Sequence, residues 1–220
     1  MRYFLKPGLS FCHVADRILF LDLGKDRYFC LSADAERSFA RLSSGQSLVH
    51  EDHMILRALA DHGPVSIGMG APLAPCPHIS VPARSLLDAH ASGTALSTHL
   101  RVGLRLASAP AQLRLLGILR TLRALERRKR RLASRLAITS RLGTVATAAA
   151  DLRALFTTTD ACLPRSIGVM HALLDARQTC TLVIGVKLLP FAAHAWVSSG
   201  DVLVNDRFDV VRNYTPILVI

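Results

Sequence analysis

Four runs decide the reading of this chain: Cys162-Leu163-Pro164-Arg165-Ser166, then Thr181-Leu182-Val183-Ile184-Gly185-Val186, then Ala192-Ala193-His194-Ala195-Trp196-Val197, then Val202-Leu203-Val204-Asn205-Asp206. The first predicts a helix over residues 162–175, because Pro164 falls in its first turn, where a missing N–H leaves no intrahelical bond unmade. The other three are apolar and rich in β-branched residues and predict strands. Ser199-Gly200-Asp201 supplies the hairpin turn between the last two. Residues 214–220 predict a final strand, so this third of the chain reads as a helix packed on an antiparallel sheet, an α+β arrangement.

The same runs carry a chemical pattern. A thiol is a nucleophile only as thiolate, and the positive end of a helix dipole lowers the pKa of a cysteine placed there. Cys162 opens the predicted helix. His194, in the middle of its strand, suits both proton tasks of a cysteine hydrolase near pH 7. A third group must hold the imidazole in one tautomer and orientation. Asp206 follows the turn, where the next strand returns alongside His194. By spacing alone Asp201, Asn205 and Asp209 compete for that role: Asp201 sits in a turn, and Asp209 would substitute if the hairpin register slipped.

Outward from this site, composition narrows the options. The chain has 220 residues, enough for one large domain or two small ones, and half of them are hydrophobic. The net charge of +11 calls for an acidic partner: nucleic acid, a membrane surface or an acidic protein. The five cysteines, Cys12, Cys30, Cys76, Cys162 and Cys180, form no CxxC unit. Zinc and thioredoxin-type chemistry therefore lack their basic element, no metal is expected, and free thiols in a reducing cytoplasm are the simplest account. The N-terminal residues show no signal-peptide pattern, and no run of about 20 apolar residues free of charge predicts a membrane span. Cys12, Cys30 and Cys180 read as core thiols, and His78, His90, His99 and His171 as structural histidines.

The N-terminal part predicts a small α+β unit. Residues 18–22 and 27–31 are strand-like around the turn Leu23-Gly24-Lys25-Asp26, and residues 3–5 add a further extended piece. Ser32 is placed to cap a helix over 33–42, and a second helix spans 51–61, stopped by Gly63-Pro64. Pro72, Pro75, Pro77 and Pro82 mark a linker. Residues 85–108 and 110–141 predict two helices, the second very basic, with an apolar stripe of Leu115, Leu116, Leu119, Leu122 and Leu125. Its basic face reads either as a solvated surface or as a docking surface for an acidic partner.

Taken together, Cys162–Ser166, Val183–Val186, Pro190–Val197 and Asn205-Asp206 resemble the transglutaminase-like peptidase of lasso peptide biosynthesis, the B-protein family. The family's Cys, His and Asp fall on Cys162, His194 and Asp206, which favours Asp206 over its rivals. The N-terminal unit resembles the leader-recognition domain of peptide-modifying systems, a winged-helix-like fold of three strands followed by three helices. The resemblance implies residues 1–72 as a leader-recognition domain, 73–84 as a Pro-rich linker and 85–220 as a papain-type α+β peptidase domain. The implied activity is hydrolysis of the leader–core bond of a lasso precursor peptide. A separate asparagine-synthetase-like cyclase then closes the macrolactam; ATP is used by that cyclase, and the peptidase needs no cofactor of its own. The leader is expected to add as a strand along residues 27–31, opposite the helix 51–61, with Tyr28, Cys30, Leu56 and Leu59 as candidate groove residues. The same four residues also read as domain core. Arg127, Arg128, Lys129, Arg130 and Arg131 are the candidate docking residues for the cyclase or an acidic leader.

Two other classes use the same features. A transglutaminase-type acyl transferase would employ the same triad with an amine in place of water. A nucleic-acid-binding adaptor would exploit the charge and a winged-helix unit. Against it, the basic residues concentrate in the middle of the chain and lack the interleaved aromatics that stack on bases. No nucleic acid and no membrane insertion are expected.

Overall fold

The computed structural model describes residues 2–68, 70–88, 94–139, 141–156 and 162–220. It divides into two compact units, Met1–Pro77 and His78–Ile220.

The first unit contains β1 (Tyr3–Leu5), β2 (Leu9–Val14), β3 (Arg17–Asp22), β4 (Arg27–Cys30), α1 (Ala33–Ser43), α2 (His50–His62) and β5 (Val65–Ile67). β2, β3 and β4 form an antiparallel meander in that order, and β1 pairs with β5. The β3–β4 turn is held by the Asp22 carboxylate, which accepts from the amides of Gly24 at 3.0 Å and Lys25 at 3.1 Å. Phe11, Phe20 and Phe39 meet at centroid distances of 5.0–5.6 Å, and with Leu5, Ile18, Leu56 and Val65 they make the core. Two buried carboxylates pin the helices. Glu36 of α1 accepts from the Ile18 amide and the Arg17 guanidinium, tying α1 to β3. Asp52 of α2 accepts from Ser38 Oγ at 2.7 Å and from Arg41 at 3.0 Å, tying α2 to α1.

The expected mixture of strands and helices is present, with differences in detail. The described residues of this unit hold two α-helices where the resemblance implies three, because the chain after β5 runs through Pro72, Pro75 and Pro77 without helix. Ser32 occupies the N-cap of α1, yet its side chain makes no capping bond; its carbonyl accepts from Glu36 N instead. The strand β2 is an addition to the sequence reading.

The second unit contains β6 (Arg84–Ser85), α3 (Leu96–Leu132), α4 (Arg141–Asp151), α5 (Cys162–Asp175), β7 (Thr181–Leu188), β8 (Phe191–Ser199), β9 (Val202–Leu203), α6 (Phe208–Val211) and β10 (Thr215–Val219). Its sheet runs β10-β7-β8-β9-β6, antiparallel except for the β6–β9 pair. Leu182, Val183, Ile184 and Val186 of β7 are all buried, which in a strand means that both faces are covered. α5 packs against β7 and β8, and α3 runs along α5. That last approach is close: a Cβ on Gly168 of α5 would lie 2.9 Å from Leu106 Cα and 3.0 Å from Arg105 O, so only glycine fits.

The middle of the chain departs from expectation. Residues 84–85 form strand rather than the start of a helix, and the first long helix begins at Leu96. The helical run continues through Pro110 and breaks at Gly117, whose φ of 72° is open to glycine and strained for other residues. It ends at Leu132, short of residue 141, and α4 follows as a separate helix. Residues 89–93, in the span expected to be helical, lie outside the described residues, as does His90. Among the described residues no helix is long and apolar enough to cross a membrane.

Candidate active site

Cys162 is the first residue of α5, so its sulfur sits beside the unpaired amides and positive dipole of the helix start. His194 projects from the middle of β8, where it pairs with Gly185 of β7. Asp206 follows β9. The register Ser198↔Leu203 and Ser199↔Val202, extended by Val204 N donating to Val197 O at 2.9 Å, carries the chain back past His194. The result is a contact of 2.5 Å between His194 Nε2 and Asp206 Oδ2. His194 also hydrogen-bonds the Cys162 thiol. With Nε2 engaged by Asp206, Nδ1 is the nitrogen left for sulfur.

Asp206 is itself held at three atoms. Its Oδ1 accepts from Arg207 N at 2.8 Å, and its carbonyl accepts from Ser85 Oγ at 2.6 Å, a bond from β6. The side chains of His194 and Asp206 are 19% and 16% exposed, open enough for a substrate and dry enough for charge to count. The His194 ring lies near two aromatics, with centroid distances of 5.3 Å to Tyr214 and 6.2 Å to Trp196. Gly185 makes room for both: a Cβ there would sit 2.7 Å from the Trp196 ring and 2.9 Å from Tyr214 Cβ.

The electrostatics agree with the geometry. Burial by itself would raise the Cys162 thiol, but the hydrogen bond and charge of His194 and the backbone amides of Ala195 and Leu163 outweigh it, so its pKa is lowered. Burial would likewise lower His194; hydrogen bonds to Asp206 and Cys162 and their charges outweigh it and lift the imidazole to about 9. The two groups thus favour a thiolate–imidazolium pair. The other four cysteines go the opposite way: burial pushes Cys12 up to about 12 and Cys76 and Cys180 to about 11, and raises Cys30. Arg165, one turn beyond Cys162, adds positive charge close to both Cys162 and Asp206.

The rivals of Asp206 have other places. Asp201 pairs with Arg84. Asp209 lies exposed in α6, 3.6 Å from Arg212. Asn205 points inward, to Ser166 and Val197. His171 is bound by Arg128 and Gln112 and His99 by Asp151, away from the thiol. Among the described residues no cluster of three or more metal-ligating side chains occurs.

The candidate leader groove is rearranged. β4 is an edge strand of the meander. Phe29 stacks on Phe20 and faces the core that holds Leu56 and Leu59. Alternation then turns Tyr28 and Cys30 to the other face of the sheet, so the four candidates do not share one surface. Leu56 is fully buried and presents nothing to a ligand. A cavity of about 350 Å³ does lie between β4 and the end of α2, lined by Lys25, Arg27, Phe29, Asp61 and His62 among others. Arg27 and Phe29 are the side chains the sequence reading passed over; period-2 alternation from the core residue Phe20 would have found them.

The basic stretch of α3 is likewise divided. Arg127, Arg130 and Arg131 are exposed. Arg128 bonds His171 Nδ1 at 2.8 Å and pairs with Asp175 of α5, while Lys129 is half-buried with its pKa lowered by that burial.

Residues 103–219 match the family described as "Transglutaminase-like superfamily". No curated protein and no solved structure matches the chain significantly.

Proposed function

We propose that this chain, which belongs to the transglutaminase-like superfamily, is the leader peptidase of lasso peptide maturation, cutting its substrate through a Cys162 thioester. The observation that carries the chemistry is the chain of contacts from a lowered-pKa thiol at a helix start, through His194, to Asp206. The choice of substrate rests on the motif resemblance and is supported by a separate N-terminal unit with an edge strand and an adjoining cavity.

In the proposed reaction the thiolate attacks the leader–core carbonyl and the C–N bond breaks as imidazolium His194 gives its proton to the departing amine. A water then attacks the thioester while His194 takes a proton from it, releasing the leader acid and restoring the thiolate–imidazolium pair. Asp206 holds the ring and stabilises its charge throughout. The N-terminal unit binds the leader as an added strand along β4, which raises the effective concentration of the scissile bond at the site. The freed core amine is the substrate of the ATP-dependent cyclase, which the exposed arginines of α3 would receive.

The test is incubation of Cys162→Ala with the precursor peptide, cyclase and ATP. Cleavage is expected to vanish while leader affinity, read by fluorescence anisotropy, stays at the wild-type level. A variant that still cuts would remove Cys162 from the role. Mass spectrometry of the wild-type products separates hydrolysis from amine transfer, since hydrolysis alone leaves a free carboxylate on the leader.

A further inference from the structure

Beyond the three reacting residues, a polar relay with a buried centre joins the elements that carry them. Ser166 lies one turn after Cys162 on α5 and is completely buried. Its hydroxyl donates to Ala195 O at 2.8 Å, the carbonyl of the residue after His194. The same hydroxyl accepts from Asn205 Nδ2 at 2.9 Å, and Asn205 immediately precedes Asp206. Asn205 Oδ1 in turn accepts from Val197 N at 2.8 Å. Helix, histidine strand and aspartate loop are therefore joined through two side chains and three bonds.

We propose that Ser166 and Asn205 are positioning residues whose relay sets the spacing of Cys162, His194 and Asp206. This rests on Cys162 being the nucleophile of the function proposed above. The relay has one workable sense. A hydroxyl has a single proton, and Ser166 gives it to Ala195 O; the group facing Ser166 from the loop must then be a donor. Asparagine supplies that donor and, on its other side, the acceptor that Val197 N requires. Aspartate has the same shape and no donor, so it would set two acceptors against one proton and place a second carboxylate beside Asp206. With Ser166 buried, water cannot repair the mismatch from the helix side.

The readout is alkylation of Cys162 by iodoacetamide as a function of pH, with the modified residue identified by peptide mass spectrometry. This needs no precursor, so it stands or falls separately from the choice of substrate. Asn205→Asp and Ser166→Ala are expected to slow alkylation at neutral pH about tenfold and to move its acid limb up by about one pH unit, toward the ordinary thiol. Asn205→Ala, which leaves the Ser166–Ala195 bond intact, is expected to fall between these and the wild type. Folding is followed by circular dichroism and thermal melting. Folded variants with the wild-type pH profile, whatever their melting temperature, would reduce the relay to ordinary core structure and overturn the proposal. So would failure of both Asn205→Asp and Ser166→Ala to fold, since the pair would then serve folding itself.

Discussion

At the scale of single residues, the pH behaviour of the site follows from two opposed shifts. Cys162 is lowered and His194 is raised to about 9, so thiolate and imidazolium coexist between them. Above about pH 9 the imidazole loses the proton that the leaving amine must receive, and cleavage is expected to decline. Asp206→Asn removes the anion that helps hold that proton. The alkaline limb should then move down toward the ordinary histidine value of about 6.5, and turnover at neutral pH should drop on the order of 10²–10⁴-fold. A pH–rate profile of kcat/KM checks both; an unmoved alkaline limb would mean that Asp206 does not set the imidazole. Cys162 and His194 were legible as residue types in sequence, and a glycine inside a strand is a known mark of close approach. That Gly185 makes room for Trp196 and Tyr214 near the imidazole was not legible, because the contact joins β7, β8 and the residue that precedes β10.

At the scale of elements, α3 carries two sets of basic residues that its sequence runs together. Arg128 faces inward to Asp175 and His171 and holds α3 to α5, whereas Arg127, Arg130 and Arg131 face outward. Reversing the outward three to glutamate should weaken association with the cyclase, most strongly at low salt, and leave the melting temperature within about 2 °C of wild type. Arg128→Glu should instead lower the melting temperature by bringing a carboxylate against Asp175. Binding measured across a salt series, with thermal melts alongside, checks both; equal cyclase affinity in the triple variant would free the basic face from this role. A run of Arg and Lys says that a helix is basic, and its angular position relative to α5 decides which of those charges are accessible.

At the scale of the whole molecule, two units with separate cores are expected to divide recognition from chemistry. Arg27→Glu, at the cavity beside β4, should weaken leader binding on the order of tenfold, the size of one polar contact. It should leave the alkylation rate of Cys162 unchanged. Anisotropy with a leader peptide and iodoacetamide kinetics on the same sample test the division, and a parallel fall in both would show the units to be coupled.

What the sequence determined by itself was whatever depends on near neighbours: the helix start at Cys162 with Pro164 in its first turn, the strands around His194 and before Asp206, the β3–β4 turn, and the stop of α2 at Gly63. These rest on local dihedral preference and on periods of 2 and 3.6 residues, which survive without tertiary context. The tertiary structure decided which acidic residue meets His194, since the β8–β9 register, together with the Ser85 bond, brings Asp206 there and leaves Asp209 in solvent. It also moved the break in α3 from Pro110 to Gly117, and turned Phe29 rather than Tyr28 toward α2. Each is a choice among local states of similar energy, and the packing of residues distant in the chain makes it.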